Sequence, residues 1–457
     1  MTQVSTKPPS GMRDFLPREA ARRKRIFAII EEVYQSYGFE PLETPTLERL
    51  STLLGKYGEE GDQLLFKVMK RGRKLTKVLA RENPEETDVA DLGLRYDLTV
   101  PLARIVAQYQ NDLPRFFKRY QLAPVWRADR PQKGRYREFY QCDVDVVGST
   151  SMTVEAEVTA ALSEVLDRLE FGNFRIHVNH RRLLSAMLEA AGIPKDKRPG
   201  VLITIDKLDK IGRNEVIKEL EEERGVTRDA IDLLLPILGA QPTLETDNQR
   251  TLARLHEELG HLDDGKLAID ELRQLLEFAA DGPAATRLII DPYLARGLAY
   301  YTGPIFEIRS DDFSGSIGGG GRYDELIGMF SKQSQPACGF SLGIERILMI
   351  MDERGMFKNE KAPADVLVTL WNDDFTPNSF RLAHELRSEG LRVDIYPDSD
   401  DYGKQFRYAD ERNLPFVAIL APDELEAGVV AIKDMKSGDQ EKINRQEIGD
   451  WIKERLP

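Results

Sequence analysis

The spacing of apolar residues divides the chain into helices and strands before any residue chemistry is considered. Ile26, Ile30, Val33 and Tyr37 recur every three or four positions and predict an amphipathic helix, which ends at Gly38. Two later runs, RFFKRYQLAPVWRA and REFYQCDVDVVG, have the composition of strands, and residues 154–170 have helical spacing. Together with strand-like residues 286–309 and 338–342, they predict an antiparallel sheet interrupted by a long, charged, helix-rich insertion.

After Pro363 the pattern changes to short apolar strands. These are DVLVTLW, LRVDIYP, FVAIL and VVAIK, with helical stretches around 379–388 and 403–411. The β-α-β-α-β order predicts a separate α/β domain with a mainly parallel sheet and helices on both faces. We therefore predict an α+β core with an antiparallel sheet, a helical insertion and a C-terminal α/β domain. The predicted boundaries are 1–181 and 286–361 for the two parts of the core, 182–285 for the insertion and 362–457 for the C-terminal domain.

Composition and charge narrow the class of protein. The 457 residues are 41% hydrophobic and 31% charged, and no window approaches the roughly 18 apolar residues of a membrane span. The N-terminus lacks an apolar signal core, and the two cysteines, Cys142 and Cys338, fit small buried residues in a reducing compartment, so we expect a cytoplasmic protein. A net charge of −13 argues against non-specific coating of nucleic acid but not against a local tRNA-binding patch.

The stretch from Trp126 to Gly148 carries the most chemical information. Two predicted strands flank a Pro-Gln-Lys-Gly turn, and a basic loop between strands suits a phosphate-bearing ligand. A surface hairpin with solvated charges is the alternative. The basic residues of the loop are Arg127, Arg130, Lys133, Arg135 and Arg137, with Lys118 and Arg119 just upstream.

The second strand of this hairpin alternates in a way that favours the first interpretation. Phe139, Gln141, Asp143 and Asp145 fall on one face. A strand that buries Gln and Asp needs partners for them, so we expect this face to form the floor of a polar cavity.

Two arginines are the strongest phosphate candidates, because a planar guanidinium can hold a phosphate with two hydrogen bonds. Arg127 begins the basic loop. Arg346 follows the turn Leu342-Gly343 and begins an apolar helix, where the helix dipole already favours an anion. A salt-bridged helix start is the alternative for Arg346.

Two further pairs could contact a small polar ligand. Asp97 and Thr99 are two apart, so on a strand they would face one side and suit an α-ammonium group; a strand-end turn with local hydrogen bonds is the alternative. Tyr300 and Tyr301 would point to opposite faces of an extended chain, so we expect only one to line the pocket.

Six segments in order resemble the motifs of histidyl-tRNA synthetases, which are class II aminoacyl-tRNA synthetases. The Trp126–Gly148 stretch resembles motif 2 of that family. The other five segments are SGMRDFLP (residues 10–17), RYDLTVP (95–101), ARGLAYYTG (295–303), GGRYDELIG (320–328) and the motif 3 segment GFSLGIERIL (339–348). The resemblance spans nearly the whole chain and implies that the C-terminal domain binds the anticodon.

The resemblance implies an ATP site. Arg127 would hold the α-phosphate, Arg346 the far end of a bent ATP, and Phe139 would stack on adenine. Asp129 stands where many members have Glu, and Arg135 belongs to the same ATP-binding loop.

The resemblance also implies a histidine site. Asp97 and Thr99 would hold the amino group, with Asp97 shorter than the Glu that many members carry. Gln141 and Asp145 would require a hydrogen-bond donor on the ligand, which the imidazole ring supplies. A site of this kind can reject amino acids that lack the donor by about 10⁴-fold. Tyr300 or Tyr301, and Tyr323 in the GGRYD segment, would line the wall.

Arg296, in the RGLxYY signature of the family, is the residue that the resemblance implies for catalysis. It would contact histidine and neutralise charge at the α-phosphate and carboxylate as they approach each other. Without the resemblance, a surface arginine in a turn would be the preferred interpretation. The usual aspartate of the signature is Ala299 here.

The resemblance implies a histidine–tRNA ligase that forms histidyl-adenylate from L-histidine and ATP and transfers histidine to the 3′ end of tRNA(His). Mg²⁺ would enter with ATP and be bound by phosphate oxygens and water, so no protein ligands for a metal are predicted. The segment HEELGH is not a zinc site, because its two histidines are five residues apart and the zinc-protease helix needs a spacing of four.

The resemblance also implies a homodimer. In the family the dimer interface is built by motif 1, to which the first helix, the strand after it and Pro45 correspond. Two alternatives are a silent paralogue that regulates ATP phosphoribosyltransferase, which generally lacks the C-terminal domain, and a pure RNA-binding module.

Overall fold

The computed structural model describes residues 4–238, 247–295, 300–311, 313–331, 333–357 and 362–456. The chain divides into two compact units, Met1–Gly355 and Met356–Pro457. No helix within these described ranges is long and apolar enough to cross a membrane.

Helices account for much of the first unit. Those before the predicted insertion are α1 (Pro17–Ser36), α2 (Leu50–Leu53), α3 (Gly58–Gln63), α4 (Arg73–Leu79), α5 (Glu86–Val89), α6 (Thr99–Gln108) and α7 (Thr153–Arg168). Those that follow are α8 (Arg181–Ala190), α9 (Arg198–Ile205), α10 (Leu208–Glu222), α11 (Arg228–Leu238), α12 (Asn248–Leu259), α13 (Asp263–Ala279) and α14 (Ile344–Glu353), with a 3-10 turn at Ile327–Met329.

The strands of the first unit form two sheets. They are β1 (Glu40–Pro41), β2 (Leu47–Arg49), β3 (Lys67–Met69), β4 (Ala90–Leu94), β5 (Phe117–Trp126), β6 (Glu138–Val147), β7 (Arg175–His180), β8 (Leu288–Ile290), β9 (Pro304–Ser310), β10 (Phe313–Arg322) and β11 (Ala337–Gly343). Eight strands run in the order β1-β5-β6-β11-β10-β9-β7-β8, and β2-β4-β3 form a small separate sheet. The predicted antiparallel sheet is confirmed for its centre, whereas the two outermost pairs, β1 with β5 and β7 with β8, are parallel.

The first helix and the central hairpin form where the sequence predicts them. In α1 the buried stripe includes Ile26, Ile30 and Val33, and Gly38 ends the helix with a φ of 77°. Strands β5 and β6 pair antiparallel from Phe117↔Val147 to Trp126↔Glu138, so the basic loop connects them. Both cysteines are free and fully buried in strands, as expected.

The glycine run at residues 318–321 lies at the end of β10. Glycine is needed there because the backbones of β10 and β11 approach each other closely. A Cβ on Gly320 would lie 2.2 Å from the carbonyl oxygen of Gly339 on β11. From sequence, the run is expected only to form part of a pocket wall. Glycines have no side chains and so show no apolar alternation, which is why the sequence does not predict this strand.

Helices fill the region predicted as an insertion. Within the first unit, α13 packs on α8 and on α7, and α12 packs on α13. His256 and His261, the histidines of the HEELGH segment, are exposed.

The second unit has a five-stranded sheet with two apolar cores. Its elements are β12 (Val366–Val368), α15 (Thr376–Ser388), β13 (Val393–Ile395), α16 (Tyr402–Glu411), β14 (Phe416–Ile419), α17 (Pro422–Glu426), β15 (Val429–Asp434), β16 (Gln440–Asn444) and α18 (Ile448–Arg455), with a 3-10 turn at Asp373–Phe375. One core joins the sheet to Leu386 of α15 and Ile452 of α18, and the other joins it to Ala409 of α16. Helices therefore cover both faces, as predicted.

The prediction of a mainly parallel sheet in this unit is wrong. The order is β13-β12-β14-β15-β16, and only the β12–β13 and β12–β14 pairs are parallel. Strand β16 was missed because it is polar and mostly exposed, and it pairs antiparallel with β15. An edge strand needs few apolar residues, so its sequence carries little strand signal.

Candidate active site

One cavity of about 910 Å³ collects the predicted ligand-binding residues of the first unit. Its lining comes mainly from β6, β9, β10 and β11, the loop between β5 and β6, the turn at Tyr300 and Tyr301, and the starts of α6 and α14. Every predicted site residue within the described part of the chain lines it: Asp97, Thr99, Arg127, Asp129, Arg135, Phe139, Gln141, Asp145, Tyr300, Tyr301, Tyr323 and Arg346. Arg296 and Ala299 lie outside the described residues.

The polar face predicted for β6 is the cavity floor. Gln141, Asp143 and Asp145 are buried, with exposed fractions of 8%, 2% and 2%. Across the sheet, Asp145 pairs in register with Arg119 of β5, whose side chain is fully buried. Arg119 Nη2 lies 2.7 Å from Asp145 Oδ2 and 3.9 Å from Asp143 Oδ2, so one guanidinium forms ion pairs with both carboxylates.

This burial changes the proton affinity of the floor. Loss of solvent raises the pKa of Asp143 to about 7, although the positive charge of Arg119 opposes the shift. Desolvation also raises the pKa of Asp145, again opposed by Arg119 and by a hydrogen bond from Tyr323. The Tyr323 hydroxyl donates to Asp145 Oδ1 at 2.5 Å. The floor therefore holds protons more readily than exposed carboxylates do, and one arginine offsets only part of the cost of burying the two charges.

Asp97 and Thr99 are not on a strand, so that prediction is wrong, and the turn given as its alternative is what occurs. Strand β4 ends at Leu94, and α6 begins at Thr99. The Asp97 carboxylate accepts a hydrogen bond from Val100 N at 3.0 Å and so satisfies a free N–H of the first helical turn. The pattern from Asp97 to Thr99 covers only three residues, which is too short to distinguish a strand from the start of a helix.

Asp97 is nevertheless aimed at the cavity. Its carboxylate also accepts hydrogen bonds from the hydroxyls of Tyr57, at 3.1 Å, and Tyr300, at 3.4 Å. Burial raises the pKa of Asp97, while these hydrogen bonds and the charge of Arg127 lower it. The side chain is 1% exposed.

The expectation that only one of Tyr300 and Tyr301 lines the pocket is wrong. Both line it, and their rings lie 5.1 Å apart in an edge-to-face arrangement. Tyr300 lies in a turn, so the alternation of an extended chain does not apply. Tyr300 also contacts Tyr323, with ring centres 6.0 Å apart.

The basic loop is fastened by its own charges. Arg135 forms a two-pronged ion pair with Asp129, at 3.0 and 2.8 Å, and Arg137 donates to the Asp129 carbonyl at 3.0 Å. The Arg127 guanidinium lies 4.2 Å from the centre of the Tyr96 ring and 5.1 Å from that of Phe139. Its Nε donates to the Tyr96 carbonyl at 3.1 Å.

Arg346 occupies the first turn of α14, as predicted. Its guanidinium donates to the Gly134 carbonyl in the loop and to the Ser316 carbonyl on β10, and it lies 5.7 Å from the centre of the Phe313 ring. Arg346 therefore joins the loop to the sheet at the rim of the cavity.

Three residues of this arrangement had no assigned role from sequence. Arg119 was grouped with the basic loop, but it points into the floor, whereas Lys118 on the other face contacts Glu157 at 2.6 Å. Asp143 was noted only as part of the alternation. Tyr57 is distant in sequence from the motifs. The alternation of polar residues on β6 could have identified Asp143 as a site residue. The positions of Arg119 and Tyr57 could not be predicted in this way, because they depend on the register of the sheet and on tertiary packing.

Comparisons with known proteins agree with this geometry. The sequence profile described as Histidyl-tRNA synthetase matches residues 11–347, and the profile described as Anticodon binding domain matches residues 365–455. A Histidine–tRNA ligase of Porphyromonas gingivalis is 43% identical over 443 residues, which cover 95% of this chain and 96% of that protein. A Histidine–tRNA ligase of Gloeobacter violaceus is 41% identical, covering 98% of each chain.

Solved structures give the same assignment. The crystal structure of histidyl-tRNA synthetase from Nostoc sp. superposes with a TM-score of 0.84 at 30% identity, covering 99% of this chain and all of that one. The fold is that of a class II aminoacyl-tRNA synthetase. Within that class, the chain belongs to the histidyl-tRNA synthetase family, and its function is histidine–tRNA ligation.

The close contact between Gly339 and Asp145 yields a first prediction. A Cβ on Gly339 would lie 1.8 Å from Asp145 Oδ1, so Gly339→Ala has to displace the carboxylate from Tyr323 and Arg119. We expect a loss of about 1–3 kcal/mol in the free energy of unfolding, measured by thermal unfolding of the full chain. The matched control is Gly282→Ala, whose Cβ would have its nearest neighbour at 3.6 Å. Equal stability of the two variants would contradict the packing of the floor.

Proposed function

We propose that the cavity binds L-histidine and ATP side by side along β6 and joins them as histidyl-adenylate. The histidine carboxylate oxygen would attack the α-phosphorus, and the bond to pyrophosphate would break. A terminal hydroxyl of tRNA(His) would then attack the acyl carbon and release AMP. The observation that carries this proposal is the convergence of twelve predicted residues on one cavity. From Phe139 to Asp145 the floor extends six residues, roughly 20 Å, which is room for both ligands.

The histidine end is proposed to lie at the buried carboxylates. Asp97 would accept from the α-ammonium group, with Thr99 beside it. A buried carboxylate that already accepts two tyrosine hydroxyls is fixed in orientation, so it can bind a cation at low cost in entropy. Gln141, Asp145 and Tyr323 would surround the imidazole ring, with Tyr300 and Tyr301 as walls.

The ATP end is proposed to lie between the basic loop and α14. Arg127 would hold the α-phosphate, and Phe139, next to it, would stack on adenine. Arg346 would hold the far phosphates from the first turn of α14, where the helix dipole favours an anion. Asp129 and Arg135, through their ion pair, would hold the loop in shape around the nucleotide.

Arg296 keeps the role that the family resemblance implies, namely neutralisation of charge between the α-phosphate and the histidine carboxylate. Leu294, Ala295 and Tyr300, which flank residues 296–299 in the sequence, are buried. A guanidinium placed between the two reacting groups would act by electrostatics.

Mg²⁺ is proposed to enter with ATP. The described residues contain no group of three or more His, Cys, Asp or Glu side chains that could hold a metal ion. A metal bound through phosphate oxygens and water needs no such group, and it would neutralise charge on the leaving pyrophosphate.

The remaining partners follow from the family. Residues 362–457, which include the match to an anticodon-binding domain, would bind the anticodon of tRNA(His), and residues 182–285 would form an insertion between the two parts of the catalytic core, 1–181 and 286–361. We propose a cytoplasmic homodimer built through α1 and the segment around Pro45. The regulatory alternative has no better support: the Bacillus halodurans structure titled as an ATP phosphoribosyltransferase regulatory subunit/histidyl-tRNA synthetase is 22% identical and shows only the shared fold.

Histidine-dependent exchange of labelled pyrophosphate into ATP tests the activation step. We expect exchange with histidine and Mg²⁺, and none with the other nineteen amino acids. No stimulation by any amino acid in pure, folded protein would overturn the proposal.

The geometry of Arg127 yields a second test. Arg127→Lys keeps the charge but loses the planar group that rests on Tyr96 and can hold phosphate with two hydrogen bonds. We expect kcat of exchange to fall by about 10²-fold, with a smaller change in KM for histidine. Arg104→Lys is the matched control, because Arg104 pairs with Glu48 at 2.7 Å and does not line the cavity. An unchanged kcat in Arg127→Lys would remove Arg127 from the catalytic residues.

Truncation after Lys361 tests the division of labour. The first unit has its own cores, so we expect the shortened protein to fold and to retain pyrophosphate exchange. Charging of tRNA should fall steeply, because the anticodon contacts no longer position the substrate. Equal charging by both proteins would contradict the anticodon assignment, and loss of both activities would contradict the independence of the first unit.

A further inference from the structure

Asp143 is a buried carboxylate of the cavity that the proposed roles leave unused. It lies on β6 between Gln141 and Asp145, lines the cavity and is 2% exposed. Its Oδ1 has no hydrogen-bond partner among the described residues. An unsatisfied buried acceptor is costly, so a donor is expected at this position when the site is filled.

Asp145 offers less open capacity than Asp143. The Tyr323 hydroxyl occupies Asp145 Oδ1, and Arg119 Nη2 lies against Asp145 Oδ2. Asp145 Oδ2 also forms no hydrogen bond with the described part of the chain, but the Arg119 guanidinium lies 2.7 Å from it, whereas the same group lies 3.9 Å from Asp143. Of the two carboxylates, Asp143 is therefore the less well compensated by the protein.

The neighbours of Asp143 across the sheet leave its Oδ1 without a hydrogen bond, although the Ser341 hydroxyl also stabilises this carboxylate. Across the sheet Asp143 lies between Gln121 of β5 and Ser341 of β11. The Gln121 amide nitrogen is turned toward Thr44 Oγ1, at 3.1 Å, and the Ser341 hydroxyl accepts from Gln141 Nε2 at 2.9 Å. Arg119 approaches the other oxygen of Asp143, but at 3.9 Å.

The charge balance favours a ligand that donates hydrogen bonds. Two buried carboxylates share a single guanidinium, so the fully ionised floor carries an excess negative charge. An apolar amino acid would leave the buried acceptor without a donor, whereas an imidazole N–H would supply one.

We infer that Asp143 is a specificity-determining residue that accepts a hydrogen bond from a ring N–H of the bound histidine, with Asp145 and Arg119 holding the floor in place. This inference rests on the proposed function. It assigns the imidazole ring two carboxylate neighbours: Asp145, which Arg119 and Tyr323 contact directly, and Asp143, which has the weaker compensation.

Asp143→Asn is the first test, in the full-length protein by pyrophosphate exchange. The change is nearly isosteric, and it removes the charge while an amide oxygen remains. We expect KM for histidine to rise about ten- to a hundredfold, with KM for ATP within about twofold of wild type. The matched control is Asp365→Asn, a buried aspartate paired with Arg392 in the second unit, which should leave exchange unchanged. A KM for histidine within about twofold of wild type in Asp143→Asn would overturn the inference.

A second measurement separates direct contact from a general distortion of the floor. The two ring-N-methyl histidines each block one ring nitrogen, and their inhibition constants against histidine are measured with wild type and Asp143→Asn. Contact predicts that one isomer, which binds wild type poorly, loses little further affinity in the variant, so that the two effects are not additive. Equal additional losses for histidine and both isomers would show a structural role only and would overturn the contact.

Absence of histidine-dependent exchange in wild type would refute the proposed function. Normal wild-type exchange, together with an Asp143→Asn variant that keeps both its KM and its discrimination between the isomers, would refute the role of Asp143 alone.

Discussion

Two carboxylates buried side by side on β6 impose the constraint around which the first unit is built. Removing a carboxylate from water is costly unless a positive charge and hydrogen bonds compensate. Arg119, Tyr323 and the neighbouring strands provide that compensation, and they come from β5, from the end of β10 and from β11. The floor therefore forms only when these strands assemble in one register. A polar cavity inside a sheet is the result.

Another buried acid fixes the proposed nucleotide end of the site in position. Glu345, in the first turn of α14, accepts from Arg23 of α1 at 3.1 Å and from Tyr140 N of β6 at 3.2 Å. The helix that carries Arg346 is thereby fixed to the strand that carries Phe139 and to the first helix of the chain. Because Arg346 also donates to Gly134, the basic loop is fixed to the same assembly. Pre-positioned arginines stabilise charge in a transition state without reorganisation.

The two units divide the proposed work. The cavity and all of its lining belong to the first unit, whereas the second has separate cores on the two faces of its own sheet. Under the proposed roles, chemistry and recognition of a distant part of tRNA would be altered independently. The profile match at residues 365–455 falls within the second unit, in agreement with this division.

The sequence alone determined those features that depend on local periodicity. It placed α1 and its glycine stop, the β5–β6 hairpin, the polar face of Gln141, Asp143 and Asp145, and Arg346 at a helix start, because spacing of two or 3.6 residues fixes which side chains share a face. It did not determine which groups meet across the sheet. Arg119 beneath Asp145, the capping role of Asp97, both tyrosines in the cavity and the mixed C-terminal sheet depended on register, turns and edge pairing. Those contacts join residues far apart in sequence, and only the burial of charge and apolar surface in the folded chain selects them.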